Sequence, residues 1–321
     1  MPTNIDQNVR TISWSPPVFI ALMAISLAIW WAPLTSTFAL ALNEEQYTHI
    51  LLILPISATL IFLDSKADWK LDRRSDGKSS EPGVGASTTL ASAFLVVAVF
   101  VNAIVRWKLH LSWDVQLATT MLALVLWWIA AFLLCFGLRA FRLSLFPLCF
   151  LLWMVPLPGF VVSPIVGFLQ QGSAASAHLF FAAAGVPVAQ RGMLVHIPGL
   201  TLEVAPECSS IRSSAMLLVT TMVVAHLLLR STWRRVLVVA AAIPLSVAKN
   251  GLRIFTLGVL ATRVDPSFLS GRLHRQGGGI FLLIALGAIF LLIWILRRGE
   301  AEKPKLDPRA PLPEKIYRAN A

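Results

Sequence analysis

The sequence predicts an all-α, polytopic transmembrane bundle of about eight spanning helices, with a re-entrant or interfacial segment and a short extracytoplasmic hairpin-like β stretch. Three observations carry this. Of 321 residues, 57% are hydrophobic and only 13% charged, where soluble domains carry about 25% charge. Mean hydropathy is +0.74. Apolar runs near or above ~18 residues recur along the chain, the length that crosses a bilayer as a helix.

Taken in order, the expected spans are residues 17–42, 47–63, 89–105, 115–136, 143–157, 208–229, 236–260 and 275–296. The first run is too long for a signal-peptide core and offers only Arg10 before it, so it reads as a span, although Ala39-Leu40-Ala41 resembles a cleavage site. Residues 158–185 are apolar but interrupted by Pro158, Gly159, Pro164, Gly167 and Gly172. That pattern suits a segment that enters the membrane without crossing it, with one more crossing as the alternative.

Charge sets the expected orientation. The formal net charge is +11, but the basic residues sit at the ends of apolar runs, which is the signature of topology rather than of nucleic-acid binding. Lys66, Lys70, Arg73, Arg74 and Lys78 fill one loop, Arg230, Arg234 and Arg235 a short link, and Arg297 and Arg298 open the tail. Eight crossings place all three on the cytoplasmic side and the acidic turn around Glu44 and Glu45 outside. The outer parts are then residues 43–46, 106–114, 158–207 and 261–274. Within them, residues 193–204 read as two short strands about Pro198-Gly199. Residues 1–298 form one membrane-embedded domain, and the Pro- and charge-rich residues 299–321 form a disordered cytoplasmic tail. No internal repeat is visible.

Three reactive residues fall at the same expected leaflet. Cys208 lies at the outer end of the sixth span, Arg253 in the outer half of the seventh, and His274 at the outer start of the eighth. A thiol attacks as its thiolate, which a helix N-terminus favours. A histidine can take the thiol proton and return it to a leaving amine. An arginine can hold the oxyanion of a tetrahedral intermediate. Each has a plainer reading: Cys208 as a small interfacial residue, Arg253 as a snorkelling or paired charge, His274 beside Arg272 and Arg275 as a solvated surface. Lys249 and Asn250 lie within a turn of Arg253, and Arg212 follows Cys208 by one turn. Glu203 and Glu207 can pair with these bases. His49, His110, His178 and His196 read as interface or loop residues, and His226 as structural. Cys135 and Cys149 fall inside apolar runs as core residues, so no disulfide framework is expected. No HExxH, CxxC, phosphate-binding loop or GxSxG occurs, which removes the usual signals for metalloproteases, NTPases and elbow-type hydrolases.

At these residues the sequence resembles the exosortase/archaeosortase family of membrane transpeptidases. "PGLTLEVAPECSSIRS" is similar to the family's cysteine box with Cys208 at the nucleophile position, "AKNGLRI" to the arginine box with Asn250 and Arg253, and "HRQGGGIF" to the histidine box with His274. "YTHILLILP", "LLWMVPLPG" and "LQQGSAASAHLFFAAAGVPVAQRG" are similar as well, so the resemblance runs over roughly residues 45–295. One departure is Cys208-Ser209-Ser210 where the family reads Cys-Ser-Gly. The resemblance implies a plasma-membrane cysteine protease and transpeptidase. It implies substrates that are exported proteins ending in a short motif, commonly Pro-Glu-Pro, then a transmembrane helix and a basic cluster. Such enzymes cut outside the membrane and pass the new carboxyl end to an acceptor, a lipid or glycan-linked nucleophile, often in bacteria that export polysaccharide. Asn250, Arg212, Ser209 and Glu203 are the supporting candidates. No metal or organic cofactor is implied, and membrane lipids, rather than nucleic acid, are the surroundings. The competing expectations are a transporter or channel lined by Lys249, Arg253 and Arg212, and a scaffold for polysaccharide export. Both survive removal of the Cys208 thiol, which separates them from the enzyme.

Overall fold

A computed structural model describes residues 16–72, 84–107, 111–204, 211–269 and 278–301. Among the described residues, five helices are long and apolar enough to cross a membrane, or seven if each of two bent pairs is one span. The chain is thus a multi-pass helical bundle with one small sheet. Its contacts fall into two compact units, Met1–Gln171 with Val204–Ala215, and Gly172–Glu203 with Met216–Ala321.

In the first unit, the run expected as one span from 17 to 42 is two helices, α1 (Pro16–Ile29) and α2 (Trp31–Asn43), bent by 75°. Pro33 has no N–H to give the carbonyl of Ile29, so the ladder breaks there. Around the bend, the N–H groups of Trp30 and Leu34 keep their bonds to the carbonyls of Ser26 and Trp30 at 2.9 Å. A 3₁₀ turn, Glu45–Tyr47, leads to α3 (Ile50–Asp72). The helices α4 (Val84–Trp107) and α5 (Trp113–Leu143) follow. The side chains described in α4 form a shorter apolar stretch, Ala91–Val105. α5 is broken at Gly137, whose φ of 79° and ψ of 174° suit glycine. The break separates the apolar run from the turn that carries Arg139 and Arg142.

α1 and α2 pack on α5. Trp128 Nε1 donates to Ser26 Oγ at 2.9 Å, and Trp127 Nε1 to the carbonyl of Leu22 at 3.2 Å. Phe19 sets its ring edge against Phe132 and Phe136 at 6.3 and 5.2 Å. These contacts give the buried indoles the partners that their N–H groups need in an apolar medium.

Residues 143–185 are organised differently from the expectation. The stretch taken as a span is the short helix α6 (Leu145–Phe150) and a 3₁₀ turn, Leu151–Met154. The stretch taken as broken is the continuous 25-residue helix α7 (Gly159–Ala183), bent by 96° from the piece before it. Ten residues of helix rise only about 15 Å, while 25 rise about 37 Å, enough for a hydrocarbon core of about 30 Å. Pro158 precedes the helix start and Pro164 lies in its second turn, so both prolines sit near the end that tolerates them.

The second unit begins within α7 and continues into an antiparallel sheet in the order β1 (Ala189–Arg191), β2 (Leu194–Ile197), β3 (Leu200–Glu203). The expected pair turns at Pro198-Gly199, and Gly199 takes a φ of 80°, the conformation that position requires. β1 is the strand that sequence alternation did not reveal. Then come α8 (Ile211–Leu228), α9 (Thr232–Arg263), a 3₁₀ turn at Pro266–Leu269, and α10 (Gly278–Ala301). A core of Leu217, Leu229, Val238, Ala242, Ala285, Ile289 and Ile293 joins the last three helices. Arg234, in the first turn of α9, donates to the carbonyls of Leu296 and Gly299 at 2.6 and 3.1 Å. The Gly299 carbonyl, among the last four of α10 that have no helical donor, gains one here, and the two helices run antiparallel. The expected tail begins within α10; residues 302–321 lie outside the described residues.

Candidate active site

Among the residues expected to react, Cys208 and Ser209 lie outside the described residues, as does His274. So do Glu207 and His110. The structure places Arg253, Asn250, Arg212 and Glu203, and it places the segments that flank the other three.

Arg253 stands on α9, partly exposed, about two-thirds of the way along a 32-residue helix. A guanidinium near the centre of a span is costly, about 2.5–3.5 kcal/mol on insertion scales, so such a residue ordinarily has a task. Its Nη1 lies 3.8 Å from where a Cβ on Gly278 would be. Gly278 opens α10 four residues beyond His274, so the guanidinium meets the start of the helix inside the histidine box. Asn250 and Lys249 are buried at 1% and 5% exposure.

Glycine makes this part of α9 possible. A Cβ on Gly251 would stand 2.5 Å from Ser176 Cβ and 2.8 Å from the backbone nitrogen of Ala177. One on Gly172 would stand 2.9 Å from Val247. One on Gly258 would stand 2.7 Å from the ring of Phe181 and 2.9 Å from Leu202. The pairs 172–247, 176–251 and 181–258 advance together, so α7 and α9 lie side by side and parallel over these turns. Small residues at such spacing let membrane helices approach backbone to backbone. Arg253 is therefore carried by a surface fixed at Gly251, less than one turn before it.

The segment before Cys208 is held too. Gln170, 6% exposed, donates from Nε2 to the carbonyl of Val204 at 2.9 Å. Val204 is itself 1% exposed, so this bond meets an acceptor that water cannot reach. On the far side of the cysteine, Arg212 Nη1 pairs with Glu45 Oε2 at 3.1 Å. The expected partners were Glu203 and Glu207; Glu203 is exposed at the end of β3, and the observed partner comes from the acidic turn. Both side chains of the pair are well exposed, 49% and 82%, so it positions more than it stabilises.

That acidic turn joins two stretches singled out in the sequence. Tyr47 Oη donates to the carbonyl of Leu157 at 3.1 Å, across 110 positions. The ring of His49 lies edge-on to Trp153 at 6.1 Å. Asp114 Oδ2 accepts the N–H of Gly159 at 2.8 Å and so caps the first turn of α7. Together they clamp the 96° bend. A cleft of about 210 Å³ opens here, walled by Glu44, Tyr47, Trp113, Asp114 and Pro156. After α9, Asp265 accepts the Ser267 N–H at 2.7 Å, and this bond holds its carboxyl below the ordinary range.

The stretches that the sequence set apart are thus joined pairwise: 47 with 157, 170 with 204, 176 with 251, and 253 with 278. Gln170, Ser176 and Tyr47 were not expected as individual residues. The only signal for Gln170 was a polar amide in an apolar run. His196, read as an interface or loop residue within the stretch expected as strands, lies in β2 and bonds Thr201, Nδ1 to Oγ1 at 3.0 Å.

A family model described as transmembrane exosortase (Exosortase_EpsH) matches residues 30–291 of the chain. No curated protein and no solved structure matches it.

Proposed function

Because the chain belongs to the transmembrane exosortase family, we propose that it is a membrane-embedded cysteine transpeptidase acting on the C-terminal sorting segments of exported proteins. The Cys208 sulfur attacks the carbonyl carbon of the scissile peptide. Arg253 holds the oxyanion that forms. His274 takes the thiol proton and gives it to the departing amine as the C–N bond breaks, leaving a thioester. A nucleophile of the acceptor then attacks the thioester, loses its proton to His274, and displaces the thiolate. Acyl energy is kept in the thioester, so no nucleotide is consumed.

The observation that carries this reading is the family match over a region that contains the cysteine, arginine and histidine boxes in order. Supporting it, Arg253 lies against the start of α10 at Gly278, within the histidine box. Gln170 and Arg212 fix the chain on either side of the cysteine segment. Asn250 and Ser209 are supporting residues of the same site, and Glu203 ends the strand that leads to it. The basic loops face the cytoplasm with the C-terminal tail, and the reaction takes place on the extracytoplasmic side of the plasma membrane. Substrates carry a short motif such as Pro-Glu-Pro, an apolar helix and a basic tail, and the acceptor is a lipid or glycan-linked nucleophile.

The test is Cys208→Ala in cells that express a secreted reporter with such a C-terminal segment. Full-length reporter accumulates in the membrane with the variant and is cut with the wild-type enzyme. Normal processing by Cys208→Ala excludes the thiol as nucleophile.

A further inference from the structure

β3 is an edge strand, and it runs through Val204 into the segment that bears Cys208. The two-residue Pro198-Gly199 loop closes on Ile197 and Leu200. Pairs along an antiparallel ladder alternate between bonded and non-bonded. Ile197–Leu200 and Val195–Leu202 are then the bonded pairs, and His196–Thr201 and Leu194–Glu203 the non-bonded ones. Side chains stand closest in non-bonded pairs, and the 3.0 Å contact between His196 and Thr201 agrees. It follows that the backbone N–H and C=O groups of Thr201 and Glu203 point away from β2.

Both residues are exposed. Among the described residues, no backbone hydrogen bond outside the ladder reaches either one. The opposite face is committed: Val195 and Ile197 are buried, and Leu202 packs toward Gly258 of α9. Proteins usually blunt a free edge with Pro, Lys or a bulge. β1, the other edge, follows Pro187 and ends in Arg191, whereas β3 carries a single charge, Glu203, and neither Pro nor Lys.

We propose that the β3 edge receives the extended segment of the substrate polypeptide as an added strand. This rests on the transpeptidase reading above. The chemistry names the occupant: outward donors and acceptors at every second residue are satisfied by another extended backbone. An acyl-transfer enzyme must hold a peptide extended to present its carbonyl. Glu203 is five residues from Cys208, a reach of at most about 18 Å for extended chain. Val204, the residue that follows β3, accepts the Gln170 bond. Backbone pairing supplies affinity, and the substrate side chains that alternate over His196, Thr201 and Glu203 supply selectivity.

Proline separates this role from sheet stability. Thr201→Pro and Glu203→Pro each remove one outward N–H and leave the bonds of Leu200 and Leu202 to β2 in place, the position where edge strands tolerate proline. The full-length enzyme in membranes is assayed on a secreted reporter that ends in a Pro-Glu-Pro segment, an apolar helix and an Arg tail. Both proline variants raise KM about tenfold, the worth of about one backbone hydrogen bond, with kcat nearly unchanged. Alkylation of Cys208 proceeds equally in the wild-type enzyme and in both proline variants. Wild-type KM in both proline variants overturns the proposal. Should the prolines unfold the sheet, Thr201→Cys in a Cys208→Ala background decides. Disulfides then form with single cysteines at every second position of the reporter's extended segment, and uniform or absent cross-linking overturns the added strand. A reporter left uncut by the wild-type enzyme is a different result: it defeats the transpeptidase reading, and this proposal with it.

Discussion

Gly251→Ala is the substitution whose outcome the structure fixes most closely. The added Cβ would lie 2.5 Å from Ser176 Cβ and 2.8 Å from the backbone nitrogen of Ala177. Carbon atoms in contact settle at about 3.5–4.0 Å, so α7 and α9 must part by about 1 Å. Alanine is the better helix former by about 1 kcal/mol. Overpacking costs about 1–3 kcal/mol, and contact with a backbone atom puts this site at the upper end. The net loss is about 2 kcal/mol, which lowers the melting temperature by about 3 °C in a chain of 321 residues. Arg253 rides on the displaced helix, and a misplacement of about 1 Å costs about 10²-fold in rate. The assays are thermal melting in detergent and the rate of reporter cleavage. Gly287→Ala is the control, because nothing lies within 4 Å of its Cβ position; it melts no lower than wild type, gaining only the helix propensity of alanine, and reacts as wild type does. Ser176→Gly combined with Gly251→Ala recovers part of the loss. A Gly251→Ala enzyme with wild-type melting and wild-type rate refutes the close approach of the two helices.

Two further outcomes follow from the same contacts. Gln170→Leu leaves the buried carbonyl of Val204 without its donor, at a cost of about 1–3 kcal/mol, and it changes the rate at which iodoacetamide alkylates Cys208; an unchanged melting temperature and alkylation rate contradict the positioning role. Arg212→Ala breaks an exposed ion pair with Glu45, so stability falls by less than about 1 kcal/mol and the loss shrinks in high salt, as melting at two salt concentrations measures.

Much of the fold was legible because burial in a bilayer imposes length and composition on each helix. The residues that bend the helices were harder to place. Pro33 lies inside an apolar run, where hydropathy does not register the missing N–H, yet it divides residues 16–43 into two helices at 75°. Pro164, Gly167 and Gly172 read as breakers, but α7 continues through all three. Gly172 is there to admit Val247, a contact from 75 positions away that no local pattern contains. β2 and β3 alternate and enclose a Pro-Gly turn, so they were visible; β1 is the short Ala189–Arg191, which has no apolar alternation to read. At the site, Arg253 stood out as a charge in an apolar run. The partners of the candidate residues did not stand out. Glu45 for Arg212, Ser176 for Gly251 and Gln170 for Val204 are choices made by tertiary packing. Spacing put the three boxes in order along the chain, and Arg253 beside the start of α10 is the part of that arrangement within the described residues.

The most direct measurement is the intact mass of the purified enzyme, quenched in acid during turnover of the reporter. An acyl-thiol intermediate appears as an adduct equal to the retained reporter fragment, maps to Cys208, disappears on treatment with hydroxylamine, and is absent from Cys208→Ala. Steady turnover without any adduct on Cys208, or with an adduct on another residue, contradicts catalysis by this thiol.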